Sequence, residues 1–389
     1  MASSSSLVLD EARLLLSRTL FPIFLLAPMT TTVDEQRHVD VVRHLLQETW
    51  SCKGLNKFVT VDGPSGRTSL VTAYVLSLLA YPFYRSDPDV DIAATQVRVV
   101  LSLFSAFSSV WLARRIRPTF GTRTAKYYLV FEATQLLATR EMTRLDAVSL
   151  AVPLVRVASA LLIAPRLPIP LDDDLPPGAG GGSKARSNDT LLGLGLLALA
   201  SVALCPALLA LFVPNLWSAW SNGLMEGVQA VAVVAGWVGV EGFLTSLIDV
   251  KSTDPLVIIA KLRNQISNLV IQPRALNTSA VLLPYLTLLG PSLLFSTFAF
   301  LVDSRCRRLL GPALVALSTI YYFGVGDEQR MHKARVMVLV SSTASNLCAA
   351  ASARVVGIMF GTTTQKVVLG TVIVGNLSLA FVSTARATI

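Results

Sequence analysis

Long apolar runs separated by short clusters of charge make up most of this chain, and neither the two-residue period of a half-buried strand nor one persistent helical stripe runs through them. Bounded by charge or turn residues, the runs fall near 12–28, 69–84, 96–113, 127–139, 147–164, 191–213, 227–248, 280–302, 309–326, 336–353 and 367–384. A helix that crosses a bilayer needs roughly 20 mostly apolar residues, about the length of most of these runs. The runs at 191–213 and 280–302 carry no charge, whereas 127–139 is short and contains Glu132, and 147–164 contains Arg156. The pattern predicts an all-α polytopic membrane bundle of about 10–11 spans, the short runs being tilted, re-entrant or differently bounded.

One stretch breaks the pattern. Between Pro165 and Thr190 the chain reads P-R-L-P-I-P, then three aspartates, two prolines and G-A-G-G-G. It predicts a flexible linker over 165–190 between an N-terminal transmembrane half, 1–164, and a C-terminal one, 191–389. Composition agrees with a membrane protein: 53% of the residues are apolar, 15% are charged, and the mean hydropathy is +0.60. The net charge of +9 sits at the ends of apolar runs instead of on one polar face, so it reads as membrane-flanking charge and no nucleic-acid partner is expected. The four cysteines have neither metal-ligand nor disulfide-framework spacing. Asp10, Glu11, Arg13 and Arg18 precede or enter the first run, which argues for a retained span over a cleaved signal.

Arg13 and Arg18 also predict a cytosolic N-terminus under the positive-inside rule. Counting onward puts loops 29–66, 250–279 and 327–335, and the linker with its sequon at Asn188, on the outer side, and puts Arg305, Arg307 and Arg308 in the cytosol. The same count places Arg114, Arg115, Arg117, Arg123 and Lys126 outside, against the rule. Either the helix count differs there or an anionic partner holds the basic residues.

Candidate chemistry concentrates in Ala27–Leu46, where acidic and basic groups crowd the membrane edge directly after the first run. Adjacent Asp34 and Glu35 repel one another, an arrangement that a catalytic pocket uses to keep one carboxylate as a general base. A solvated loop entering an amphipathic helix is the alternative, since Val39, Val42 and Leu46 have helical spacing.

This stretch resembles the first lumenal loop of the dolichyl-phosphate-mannose-dependent α-1,6-mannosyltransferases of N-glycan precursor assembly, which reads roughly P-[FY]-T-K-V-E-E-S-F-N. Pro28, Thr31, Val33 and Glu35 match without a gap, and Asp34 replaces the first Glu. In order along the chain, Gly63, Arg67 and Thr68 resemble part of F-P-G-V-V-P-R-T-F, and Arg117–Thr124 resembles the turn R-x-x-F-G-R-x-x. Ala133–Gln135 and Thr139–Arg140 resemble A-S-Q and S-R-T-L-P-N. Thr245–Asp249 resembles T-V-x-V-D-S, Gln272–Leu276 resembles L-P-R-A-L, and Tyr321–Arg330 resembles Y-S-F-L-P-H-K-E-x-R, with Gly326 and Asp327 at the His and Lys positions.

The resemblance implies a GT-C-like fold in the endoplasmic reticulum membrane and an inverting transfer of mannose from dolichyl phosphate mannose to a dolichyl-pyrophosphate oligosaccharide. Asp34 or Glu35 would be the base. Arg67, Arg140, Asp249, Glu328 and Arg330 would bind substrate, Arg67 and Arg330 holding the phosphate leaving group. No cofactor is implied, and His38, His44 and His332 lack the geometry of a metal site. Two other readings remain: a diverged relative that binds lipid-linked glycan or a partner without catalysis, and a transporter. Transport has the weaker support, because Glu132, Arg156 and Glu241, the ionisable residues inside apolar runs, lie in unrelated contexts with no inverted repeat.

Overall fold

All regular structure in the computed structural model is helical over the residues it describes, which are 9–18, 33–47, 70–86, 89–166, 183–205, scattered positions between 208 and 240, 289–307, 311 and 327–387. The helices are α1 (9–18), α2 (Val33–Gln47), α3 (Leu70–Ser86), α4 (Val90–Phe120), α5 (Thr122–Thr134), α6 (Leu136–Met142), α7 (Ala147–Arg166), α8 (Ser183–Leu199), α9 (Ser292–Val302), α10 (Asp327–Phe360) and α11 (Thr362–Ala387).

The spans at 96–113, 336–353 and 367–384 lie inside helices longer than the apolar runs, because the charged ends stay helical: Arg114, Arg115 and Arg117 belong to α4, and Glu328–Lys333 to α10. Asp89 caps α4 by accepting from the Asp91 N–H at 2.8 Å. With 31 and 34 residues, α4 and α10 extend about 46 and 51 Å at ~1.5 Å per residue, more than a hydrocarbon core of about 30 Å. Two described segments, Asp91–Phe120 and Val338–Phe360, are long and apolar enough to cross a membrane. A third, Leu136–Met142 with Ala147–Ile163, qualifies if its 115° bend breaks a single span. The chain is thus a membrane-associated helical protein. The short run at 127–139 is divided at Gln135, where one helix ends and another begins.

Membrane character is also written on the two faces of α4. Phe104, Phe107 and Trp111 point outward, while Ser102, Ser105 and Ser109 are buried. That inverts a water-soluble amphipathic helix and suits a lipid exterior.

The two halves on either side of the predicted linker are not separate units. Helix α7 packs between α4 and α8, and α10 packs on α5, α7, α9 and α11. One core cluster joins Val39, Leu76, Val97 and Val148 with Leu197, Leu208 and Val338. Both ends of the predicted linker are helical, since α7 runs to Arg166 and α8 begins at Ser183.

Helices α4, α7 and α10 run in the same sense, which defines two ends of the bundle. At one end the Arg114 guanidinium donates from Nε and Nη2 to Glu11 at 2.9 and 2.6 Å, and Arg115 pairs with Asp189 at 3.3 Å. Here too Arg305 donates to the Thr119 carbonyl at 2.8 Å and Arg354 donates to the Phe120 carbonyl. The α4–α5 turn at Gly121 has φ +84°, and a Cβ there would occupy the Arg354 guanidinium. This corrects the counted topology. The basic residues 114–117 share an end with Arg305 and with Glu11 of α1, and Asp189 brings the sequon's end of the linker there as well. The acidic partners of Arg114 and Arg115 come from the chain itself.

Candidate functional site

The opposite end of the bundle holds the part of Ala27–Leu46 that the structure describes. Along α4, Arg98 lies 16 residues before Arg114, about 24 Å at ~1.5 Å per residue. There the chain turns from α6 into α7 through 143–146, and Asp146 accepts from the Ser149 N–H at 3.1 Å to cap α7. Such a corner leaves a backbone N–H without a helical partner, and a buried one requires an acceptor. Glu35 supplies it. Its Oε1 accepts from the Leu145 N–H at 3.1 Å and from Arg98 Nη2 at 2.8 Å, with 1% of the Glu35 side chain exposed.

His38, one turn along α2 from Glu35, is buried too, and Val39, Val42 and Leu46 face the core as their spacing predicts. Those three residues, with Leu76 and Ala80 of α3 and Val97 of α4, line a small, partly open apolar cleft. The arginines of the corner complete the surroundings. Arg144 pairs with Glu141 at 2.8 Å, and Arg140, in the last turn of α6, has a buried Nε that makes no hydrogen bond.

Of the predicted site residues, Asp34 stands in the first turn of α2 beside Glu35, and Glu328 and Arg330 stand in the first turn of α10. Because α10 reaches the basic end at Arg354, its first turn lies about 36 Å away at ~1.5 Å per residue, toward the end that holds Glu35. Arg67 and Asp249 lie outside the described residues. Among the described residues no group of three or more His, Cys, Asp or Glu is arranged to hold a metal ion.

A second cluster, midway along the bundle, was only half visible in the sequence. Glu132 and Arg156, assigned above to unrelated contexts, pair at 2.9 Å with each side chain 1% exposed. Arg156 satisfies its remaining donors on Thr343 Oγ1 at 2.8 Å, Ser105 Oγ at 2.9 Å and Ser109 Oγ at 2.9 Å. Glu132 also accepts from Asn346 Nδ2 at 3.0 Å and from Ser109 Oγ at 3.3 Å. Arg18, read above as a membrane-flanking charge, is instead buried and donates from Nη2 to the Glu132 carbonyl at 2.8 Å and to its carboxylate at 3.5 Å. The signals in the sequence were opposite charges in consecutive apolar runs and the serine stripe of α4. Their meaning lay in α10, about 190 residues further on.

Low-dielectric surroundings make such a cluster costly unless every lone pair and proton is used. Each nitrogen of Arg156 and each carboxylate oxygen of Glu132 has a partner, which identifies the pair as a structural tie among α4, α5, α7 and α10. Compared with known proteins, the chain matches no protein family, no curated protein and no solved structure.

Proposed function

We propose that this chain is a polytopic, GT-C-like mannosyltransferase of the endoplasmic reticulum membrane, taking mannose from dolichyl phosphate mannose and adding it to a dolichyl-pyrophosphate oligosaccharide. One observation supports the reading above others. The carboxylate-bearing start of α2, the arginine-rich α6–α7 corner and an apolar pocket lie together, at the end of the bundle away from the basic face. A lumenal transferase needs that combination: a base, cations for a phosphate, and an apolar surface for an isoprenoid chain.

In the proposed reaction an acceptor hydroxyl attacks the mannose anomeric carbon, the bond from that carbon to the phosphate oxygen breaks, and the configuration inverts. Asp34 takes the hydroxyl proton, a role worth about 10²- to 10⁴-fold. Glu35, already accepting from Arg98 and the Leu145 amide, holds the start of α2 against the corner. Dolichyl phosphate leaves with its charge met by arginine, Arg140 being the described candidate with an unused buried donor, and Arg67 and Arg330 the others. The ten to eleven spans, the α-1,6 linkage and the lumenal side are part of this proposal.

A non-catalytic relative that binds lipid-linked glycan is the second reading, favoured by the engagement of Glu35 in a structural ion pair. The test is to express the full chain in a eukaryotic host lacking its own lumenal α-1,6-mannosyltransferase and to size the lipid-linked oligosaccharide. Extension of the stalled precursor is expected, with a loss of at least ~10²-fold in Asp34→Asn. No extension from protein that is folded and present in the endoplasmic reticulum would overturn the enzyme and leave the binding relative.

A further inference from the structure

We infer that the buried Arg18 guanidinium is a binding site for one small monovalent anion of the halide class. The inference starts from a charge count. The central cluster contains two guanidiniums, Arg18 and Arg156, and one carboxylate, Glu132. Arg156 and Glu132 neutralise one another at 2.9 Å, and the carboxylate also serves Asn346 and Ser109. Arg18 reaches that carboxylate only with Nη2 at 3.5 Å, its shorter bond at 2.8 Å going to the uncharged Glu132 carbonyl. A whole positive charge is left over in a residue that is 2% exposed. Deprotonation does not relieve it, because a guanidinium stays charged in proteins.

Unused donors point the same way. Arg18 Nε and Nη1 are buried and make no hydrogen bond. Buried N–H groups on a charged side chain call for an acceptor, and orphaned ones in a native protein mark an ion or water that satisfies them. The side chain has little freedom to leave: its backbone carbonyl accepts from Ser102 Oγ at 2.6 Å, and α1 is tied at its other end by Glu11 to Arg114. One negative charge balances the cluster. A doubly charged phosphate or sulfate would overshoot by a unit within reach of Glu132, which disfavours it by like-charge repulsion.

The experiment uses the purified full chain in detergent and compares unfolding midpoints in sodium gluconate, chloride, bromide and sulfate at fixed ionic strength. A ligand that binds only the folded state raises the midpoint as its concentration passes the dissociation constant, so a saturable rise of about 3–5 °C in chloride or bromide over gluconate is expected. Arg18→Gln abolishes the rise, whereas Arg13→Gln on the exposed face of the same helix keeps it. Should Arg18→Gln fail to fold, Arg18→Lys keeps the charge without the guanidinium and is expected to weaken radiolabelled chloride binding about tenfold, while the wild-type chain binds one chloride per chain. Equal midpoints in chloride and gluconate, a rise that survives in Arg18→Gln, or a larger rise in sulfate would each overturn the assignment. None of these readouts depends on sugar transfer, so the anion site and the proposed enzyme stand or fall separately.

Discussion

The two charged clusters use the same elements, a buried glutamate facing an arginine, to different ends. At the centre, Glu132 and Arg156 are enclosed by hydroxyl and amide groups from α4 and α10, each side chain 1% exposed. At the α6–α7 corner, Arg98 is 12% exposed, and the next turns of α2 and α4 open into an apolar pocket. The central pair can exchange little with its surroundings and ties helices together. The corner pair holds a helix start in place beside a small apolar cleft. Enclosure, more than residue type, separates a structural ion pair from one that borders a site.

Breaking the central pair should have the largest effect. Glu132→Ala strands two guanidiniums in the bundle and is expected to cost about 3–5 kcal/mol, read as loss of folded, monodisperse protein or a fall in the unfolding midpoint. Replacing the whole set by Glu132→Leu, Arg156→Met and Arg18→Met should recover most of that loss, because a packed apolar substitute has no ions to desolvate. Failure of the triple variant to improve on Glu132→Ala would mean that the hydroxyls of α4 and α10 need the charges.

At the corner, Glu35→Ala removes the acceptor for the Leu145 amide and the partner of Arg98. A cost of about 1–3 kcal/mol is expected, smaller than at the centre because Arg98 can turn toward water. A loss equal to that of Glu132→Ala in the same unfolding assay would erase the distinction between the clusters.

Filling the cleft should cost about as much. Ala80→Leu forces a larger side chain into a buried position with little free space, so a loss of about 1–3 kcal/mol is expected. If the pocket seats an isoprenoid, the variant raises the KM for dolichyl phosphate mannose with little change in kcat. An unchanged KM would remove the pocket from the site. At the bottom of the scale, Arg13→Ala breaks an exposed pair with Asp10 and should leave the midpoint within about 0.5 kcal/mol of wild type.

Within the described residues, hydropathy located helices well and ended them badly. It stopped α4 at its first cluster of arginines, yet Arg114, Arg115 and Arg117 continue the helix because Glu11 and Asp189 lie within reach of two of them. Glu35 was singled out by its neighbours in sequence, but its partners, Arg98 and the Leu145 amide, are 63 and 110 residues away, and no local pattern announces them. Arg18 was read by position alone, at the edge of an apolar run, whereas its environment is set by Glu132, 114 residues distant.

By itself, then, the sequence determined what depends on local composition: that the described residues are helical, that two or three of their segments are long and apolar enough for a membrane, and that Val39, Val42 and Leu46 form one face of a helix. Only the tertiary structure decided which charges meet, which end of the bundle each occupies, and that a carboxylate from α2 closes the corner before α7. The reason is physical. The length and apolarity of a helix are sums over neighbouring residues, but the free energy of a buried charge depends on groups that folding brings from elsewhere in the chain.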